Sequence, residues 1–497
     1  FIFIFIFKIY YIFLIIYNMS NAMEDERSRI PNLMKIGAIT TDMQMDYDTF
    51  ILDPVVNTDT FSRFVLNNRG FLNSFSRIQL SVKKNASDPI SDGSSLPAGV
   101  GIYSLIDRVS LRIGTEIVSE MVDFNHFMGY KSMFIDNDIN LERETYLTSR
   151  ITSLGLRYKE DGGGDESNVN ASGYAVKTNR EYTMSADGDD GDLKIQTELQ
   201  NTEAAEFSVS VADLIPWLRF NQLPLYQFKE QVSIEIHYSP PTDHKRMVVP
   251  TGAGGATFEI DGTKTKFIYD TIYYDGDMMA RFAAENNDMN WTYTDYRLNK
   301  RSYVTADLEK LAVLNIGGAG RLCNKVICGL EYEFATPDES ILNRFVATCP
   351  TVVGGQSQVL TSNLIYNNNR LYPVDRTSPA LHFHDLISTE QNVPHVSQQM
   401  YSESGDINST GDPNDVGVLD QFTYNDKNPD SDTKGLLGQF FYQGFRLNRN
   451  ERVDSKGIEL EINYGKLDAG QTFIHRSWIE MVKSARLKDG IFTTTLM

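Results

Sequence analysis

The sequence predicts an all-β protein built as two successive antiparallel β-sandwiches, with a few short helices and long loops. Three observations carry this. Apolar and polar residues alternate with period two in segment after segment. Helical periodicity is confined to four short stretches. Strand-rich sequence falls into two groups, 48–276 and 288–497, separated by one helical connector at 277–287. Each group is long enough for an eight-stranded sandwich with insertions.

The opening run, FIFIFIFKIYYIFLIIYN, uses only Phe, Ile, Lys, Tyr, Leu and Asn, the amino acids with codons built from A and T alone. Residues 1–18 are therefore expected to be non-native read-through of AT-rich upstream sequence, with Met19 or Met23 as the start. Two rival readings exist. Lys8, the apolar Ile9 to Ile16 and Ser20-Asn21-Ala22 imitate the parts of a signal peptide. A membrane anchor would need about 20 mostly apolar residues, and Lys8 interrupts the run. Residues 19–47 read as an N-terminal arm.

In SRIQLSVKK, Ile78, Leu80 and Val82 share one face while Arg77, Gln79 and Lys83 share the other, so a strand there shows one face to a core and the other to water or a neighbour. RVSLRIG, QVSIEIHYS, GLEYEF and GIELEINYG repeat the arrangement. Helices are expected at Phe124 to Ile135, Ala212 to Arg219, Asp277 to Glu285 and Arg376 to Ser388. Pro216 should kink or shorten the second, and Met279, Phe282 and Ala283 share one side of the connector. The polar loops KEDGGGDESNVNASG, SADGDDGDLK and SESGDINSTGDPNDVG are longer than a compact domain needs unless they serve a purpose.

The chain of 497 residues carries a net charge of −20, which opposes general adhesion to nucleic acid or anionic lipid. No segment after Asn18 is continuously apolar enough to span a bilayer. Cys323, Cys328 and Cys349 are too few and too clustered for a disulfide framework, which favours a reducing compartment. Cys328 falls in phase with Leu330, Tyr332 and Phe334 and reads as a core residue. Sequons at Asn85, Asn170, Asn290 and Asn408 are of the kind that arise by chance in an Asn-rich chain.

The glycine clusters AGVGIYS and IGGAGRLC complete no nucleotide-binding pattern, and no catalytic constellation or cofactor site is nominated. His382 and His384 in LHFHD are the weak metal candidates: on a strand they would share a face, with Asp385 or His395 as a third ligand. Within a helix or loop they are instead structural histidines. The cluster DGDDGD places Asp187, Asp189, Asp190 and Asp192 on an exposed loop tip, its glycine spacing departing from a calcium-binding loop.

Several segments resemble a known family. DLIPWLRFNQLPLYQFKEQVSIEIHYS (Asp213 to Ser239) resembles the late part of the first barrel in double jelly-roll major capsid proteins. FIYDTIYYDGDMMARFAAENND is similar to that family's closing strand and linker helix. RFVLNNRGFLNSFSRIQLSV and LIDRVSLRIGTEIVSEMVDFNHFMGYKSMF resemble earlier strands, a hairpin and a helix of the same barrel. NLIYNNNRLYPVDRTSPALHFHDL and RVDSKGIELEINYG resemble capsid proteins of polinton-like viruses and virophages. Giant-virus relatives carry a Pro-Ser-Gly-Thr-Asn-type stretch near the last strands, where this chain has Asp454-Ser455-Lys456-Gly457, a departure that favours the smaller viruses.

The resemblance implies two tandem jelly rolls and a structural protein, not an enzyme, with no cofactor. Homotrimers would form pseudo-hexameric capsomers that tile the icosahedral capsid of a double-stranded DNA virus, assembled inside the host cell. Partners would be the chain itself, neighbouring capsomers, minor capsid and penton proteins. Tyr366, Arg370 and Tyr372 are the interface candidates, the alternative being an inter-strand loop packed within one subunit. HRSWIEMVKSARLKDG and DERSRIPNLMKIG hold the densest basic residues outside the predicted strands. They either touch packaged DNA or a minor protein, or are simply solvated. The competing class is a secreted, lectin-like sandwich that binds glycans.

Overall fold

The computed structural model describes residues 45–73, 75–84, 96, 100–131, 147–148, 205–219, 223–240, 258–304, 312–332, 351–352, 356–357, 361–376, 379–390, 442–447, 451–463 and 472–496. Residues 1–18, for which read-through was expected, the expected arm to residue 44, the expected loop tip with Asp187, Asp189, Asp190 and Asp192, His395, Cys349 and the basic segment 25–37 all lie outside them.

Among the described residues, eight main strands make the first lobe: β1 (Met45–Leu52), β2 (Phe61–Leu66), β3 (Arg77–Lys84), β4 (Ile106–Ile113), β5 (Glu116–Val122), β6 (Ala205–Ser210), β7 (Val232–Tyr238) and β8 (Lys266–Tyr274). Eight more make the second: β9 (Asp288–Val304), β10 (Ala312–Gly317), β11 (Cys323–Tyr332), β12 (Thr361–Tyr366), β13 (Asn369–Arg370), β14 (Tyr442–Arg446), β15 (Ile458–Asn463) and β16 (Thr472–Lys488). A hairpin strand, β17 (Ile491–Leu496), comes after them.

The two lobes have one topology. In the first, the paired order is β1-β8-β3-β6 in one sheet and β2-β7-β4-β5 in the other. In the second it is β9-β16-β11-β14 and β10-β15-β12-β13. Adding eight to every number in the first lobe gives the second. All these pairs are antiparallel, and each lobe is a jelly roll. Short strands at Val56–Thr58, Phe71–Leu72, Leu223–Pro224 and Phe258–Ile260 add to the first lobe's sheets.

The alternation fixes which residues form each core. Along β3, Ile78, Leu80 and Val82 are buried while Arg77 is exposed. Along β15, Ile458, Leu460 and Ile462 are buried and Glu459 and Glu461 only partly so. Three strands of the second lobe depart from the expected one-faced pattern. β11 sends Val326, Cys328 and Leu330 into its own core, yet Ile327 is also fully buried. β14 and β16 do likewise with Phe445 against Tyr442, and Ile479 against Trp478. Their second faces are covered by the first lobe and, on β14, also by the second lobe's own helix Pro379–Glu390.

Among the described residues, three helices position the two lobes and the segments between them: α1 (Phe124–Lys131), α2 (Gly276–Glu285) and α3 (Pro379–Glu390). α1 is described to Lys131, not Ile135. The expected helix at Ala212 to Arg219 is split. A short turn, Val211–Leu214, gives way to a 3-10 turn, Pro216–Arg219, because Pro216 has no N–H to continue the ladder. α2 joins the lobes; Asp275 caps it by accepting a 2.8 Å bond from Met278 N, and Phe282 packs on Phe71 and Tyr274. α3 starts at Pro379 rather than Arg376, as proline suits a first helical turn. Arg376 stays extended, its backbone bonded to Ser362. α3 lies on β14 at Gly444, where a Cβ would fall 2.8 Å from Leu386 Cδ1 and 3.0 Å from its Cα.

Candidate functional site: the seam between the lobes

α1 sits on the outer face of the β9-β16-β11-β14 sheet. Asp123, in a left-handed conformation at φ 50°, turns the chain out of β5 and accepts a bond from Phe127 N. Phe127 then packs against Tyr296 and Trp478, with ring centroids 4.8 and 6.0 Å away, and Tyr130 meets Tyr442 at 5.1 Å. Further along, Trp217 of the first lobe packs against Tyr293 at 4.9 Å and against Phe492 of β17 at 6.4 Å.

Charged groups are buried beside these rings. Arg476 donates to Asp123 at 2.9 Å and to Glu331. His126 Nδ1 lies 2.8 Å from Glu331, and Lys300 Nζ 2.8 Å from Asp123. A second cluster centres on Glu390 at the end of α3, which accepts from Tyr130 at 2.5 Å, Lys131 at 3.1 Å and Lys325 at 2.8 Å. Lys325 also reaches Glu480 at 3.2 Å, and Glu480 accepts from Tyr296 at 2.6 Å. Asp295 accepts from Lys483 and, at 2.9 Å, from Ser119. Each cluster has members from both lobes.

Burial alone would raise the carboxyls of Asp123 and Glu331, but Arg476 and its cationic neighbours outweigh it and hold both below the usual range. Glu390 is similarly brought to about 2 by Lys131 and Lys325, and Glu480 is lowered chiefly by Lys325. At Asp295 burial wins over Lys483 and the carboxyl is raised. Burial, reinforced by nearby arginines, depresses His382 and His475 to about 4.

Stability should accordingly fall in two stages on acidification. A depressed folded pKa means that the unfolded chain takes up the proton first. His382 and His475 therefore cost stability as pH falls from roughly 6.5 to 4, and Asp123, Glu331, Glu390 and Glu480 do so below roughly 4.5. Asp295, raised, opposes this. Thermal midpoints measured from pH 7 to pH 2.5 should drop through both windows; a flat profile to pH 3 would contradict the assignment.

The residues nominated from sequence lie elsewhere. His382 and His384 are on α3, where a spacing of two turns them to different sides. His382 is buried, its Nδ1 3.3 Å from Ser362 Oγ, while His384 is exposed. Asp385 is held by Arg376 at 2.6 Å. The helix thus does not bring the pair together as a strand would have, and among the described residues no group of three or more His, Cys, Asp or Glu side chains is placed to hold a metal ion. Tyr366 and Tyr372 pack on the second lobe's core, and Arg370 pairs with Glu461 and, at 3.3 Å, with Asp375. These three interface candidates all make contacts within their own chain. Cys328 is buried in the core as expected, its thiol pushed up to about 12.

HRSWIEMVKSARLKDG requires correction. Most of it is not a loop but β16, paired over its whole length with β9, so that Arg476 and Lys483 are drawn into the seam while Arg486 and Lys488 at its far end stay exposed. Arg476, Lys483 and Arg486 are engaged by Asp123 and Glu331, Asp295 and Asp288 respectively. The sequence did hold a signal: Arg476, Trp478 and Glu480 alternate with period two, a mixed charged and aromatic face that suits a buried seam better than water. Among the described residues, no helix is long and apolar enough to cross a membrane.

Comparison with known proteins gives the same architecture. No family model and no curated protein matches the sequence. Among solved structures, the chain is similar to VP54 of PBCV-1, as fitted into a reconstruction of the virophage Sputnik, at 12% identity and TM-score 0.50, covering 93% of this chain and 99% of that one. It is similar to the mavirus major capsid protein at 9% identity and TM-score 0.50, covering 93% of both chains. At these identities the likeness establishes the fold, a double jelly roll.

Proposed function

We propose that this chain is a major capsid protein of a double-stranded DNA virus, a building block and not a catalyst. The observation that carries the reading is the seam: two lobes of one topology, joined by buried ion pairs and aromatic packing into a single block. A chain with two like lobes presents twice as many similar sides as it has copies. Three chains around a three-fold axis therefore make a block with six-fold outline, and such blocks tile a closed shell through repeated heterologous contacts. The fold likeness to VP54 and the mavirus protein, over more than nine-tenths of this chain, supports it. The virion capsid, assembled in the host cell, is then its location, with minor capsid and penton proteins as partners. Contact with packaged DNA or a minor protein falls to the basic segment 25–37 and to the exposed Arg486 and Lys488, since Arg476 and Lys483 are engaged in the seam.

Sedimentation of the purified chain tests this. Trimers that appear as hexagonally outlined particles in negative stain are expected. A stable monomer at assembly concentrations would overturn the proposal.

A further inference from the structure

Within the chain, the helix after the fifth strand of lobe one, α1, seats on the outer face of lobe two's β9-β16-β11-β14 sheet. Because the topology repeats, a second helix and a second sheet face of the same kinds exist. α3 comes after the fifth strand of lobe two, and the β1-β8-β3-β6 sheet has an outer face in lobe one. Neither is covered by its counterpart in the same chain. On α3, Leu381 is 40% exposed, and His384 and Ser388 are exposed with it, at the spacing of one helical stripe. Val374, on the segment leading into α3, is 73% exposed.

On the sheet, Ile51 is 64% exposed and stands directly opposite the half-buried Ile268, which is itself opposite the exposed Arg77. Around this apolar spot lie polar pairs: Lys266 with Asp53 at 2.5 Å, Gln79 with Glu206 at 2.9 Å, and Thr49 with Asp270 at 2.6 Å. The equivalent seat inside the chain holds Ile327, Trp478 and Tyr442, all fully buried or nearly so. The difference reflects when each contact forms. A seat covered during folding tolerates large apolar groups. One that stays in water until a second copy arrives needs a small apolar centre with a polar rim.

We propose that the Leu381–His384–Ser388 side of α3 in one chain docks on the Ile51–Ile268 face of a second copy, and so makes between chains the contact that α1 makes within one. This rests on the capsomer reading above and names its surfaces. The contact is heterologous, so it propagates around a ring and leaves no unmatched seat when the ring closes.

The test is Ile51→Cys combined with Leu381→Cys in the full chain, treated with a short bis-maleimide and run on a denaturing gel, with each single variant as control. Cys323 and Cys328 are buried and should not react, and Cys349 is replaced by Ser in every variant so that the introduced thiols are the reactive ones. Covalent dimers and trimers only in the double variant are expected. In parallel, Leu381→Glu should weaken trimer association at least about tenfold, as loss of an interface anchor does. Sedimenting trimers that give no interchain product, or that Leu381→Glu leaves intact, would overturn these surfaces while leaving the capsomer standing. A monomeric wild-type chain would overturn both.

Discussion

Arg476→Ala should lower the free energy of unfolding by about 3–5 kcal/mol, the usual cost of deleting one partner from a buried ion pair. Arg476 is 2% exposed, and its guanidinium is shared between Asp123 of lobe one and Glu331 of lobe two. Without it two buried carboxylates face each other across the seam, with Lys300 left beside Asp123 and the His126 ring beside Glu331. Arg476→Lys keeps a charge but cannot reach both carboxylates with a planar fork, so it should fall between the two. Adding Glu331→Gln to Arg476→Ala should recover part of the loss, because one uncompensated charge is removed. Chemical denaturation of the four proteins measures this, and an alanine variant within about 1 kcal/mol of wild type would show that the pair is solvated.

Trp478→Ala should cost a similar amount, about 3–5 kcal/mol, by a different route. The indole is 1% exposed and fills the space beneath α1, with Phe127 at 6.0 Å, on a strand whose opposite face belongs to the second lobe's own core. Its truncation leaves a cavity at the seam and not inside either sandwich. The expected signature is therefore loss of cooperativity: a single unfolding transition should separate into two as the lobes uncouple. One transition merely shifted to lower denaturant would mean that the remaining ring contacts and the charged clusters suffice to hold the lobes together.

How much of this was legible depends on where the information lies. Period-two alternation in SRIQLSVKK or GIELEINYG reports burial of one face, so strands like β3 and β15 could be read directly. β16 could not, because both its faces are covered, one by its own sandwich and one by another lobe; alternation between two buried faces looks like a basic, mixed segment. The histidines of LHFHD were ambiguous for the same kind of reason: their spacing means one thing on a strand and another on a helix, and only the packing of α3 on Gly444 decides. Tyr366, Arg370 and Tyr372 lie on and just after the β12-β13 hairpin. Which chain they touch is a tertiary fact that no local pattern holds; the structure shows them engaged within their own. The seam was hardest, since Asp123, Glu331, Glu390 and Arg476 are far apart in sequence and each is unremarkable alone.

The pairing of first strand with last also governs how the chain can fold as it is made. Thr49 of β1 bonds to Asp270 of β8, 221 positions away, and β9 likewise waits for β16. Neither sandwich can close until its final strand has left the ribosome. Contacts of such high sequence separation make folding slow and leave edges open meanwhile. Lobe one nevertheless completes its strands by Tyr274, before any of lobe two is synthesised. The seam then forms last, on a template already in place, so the aromatic face of β16 can be covered soon after it is made.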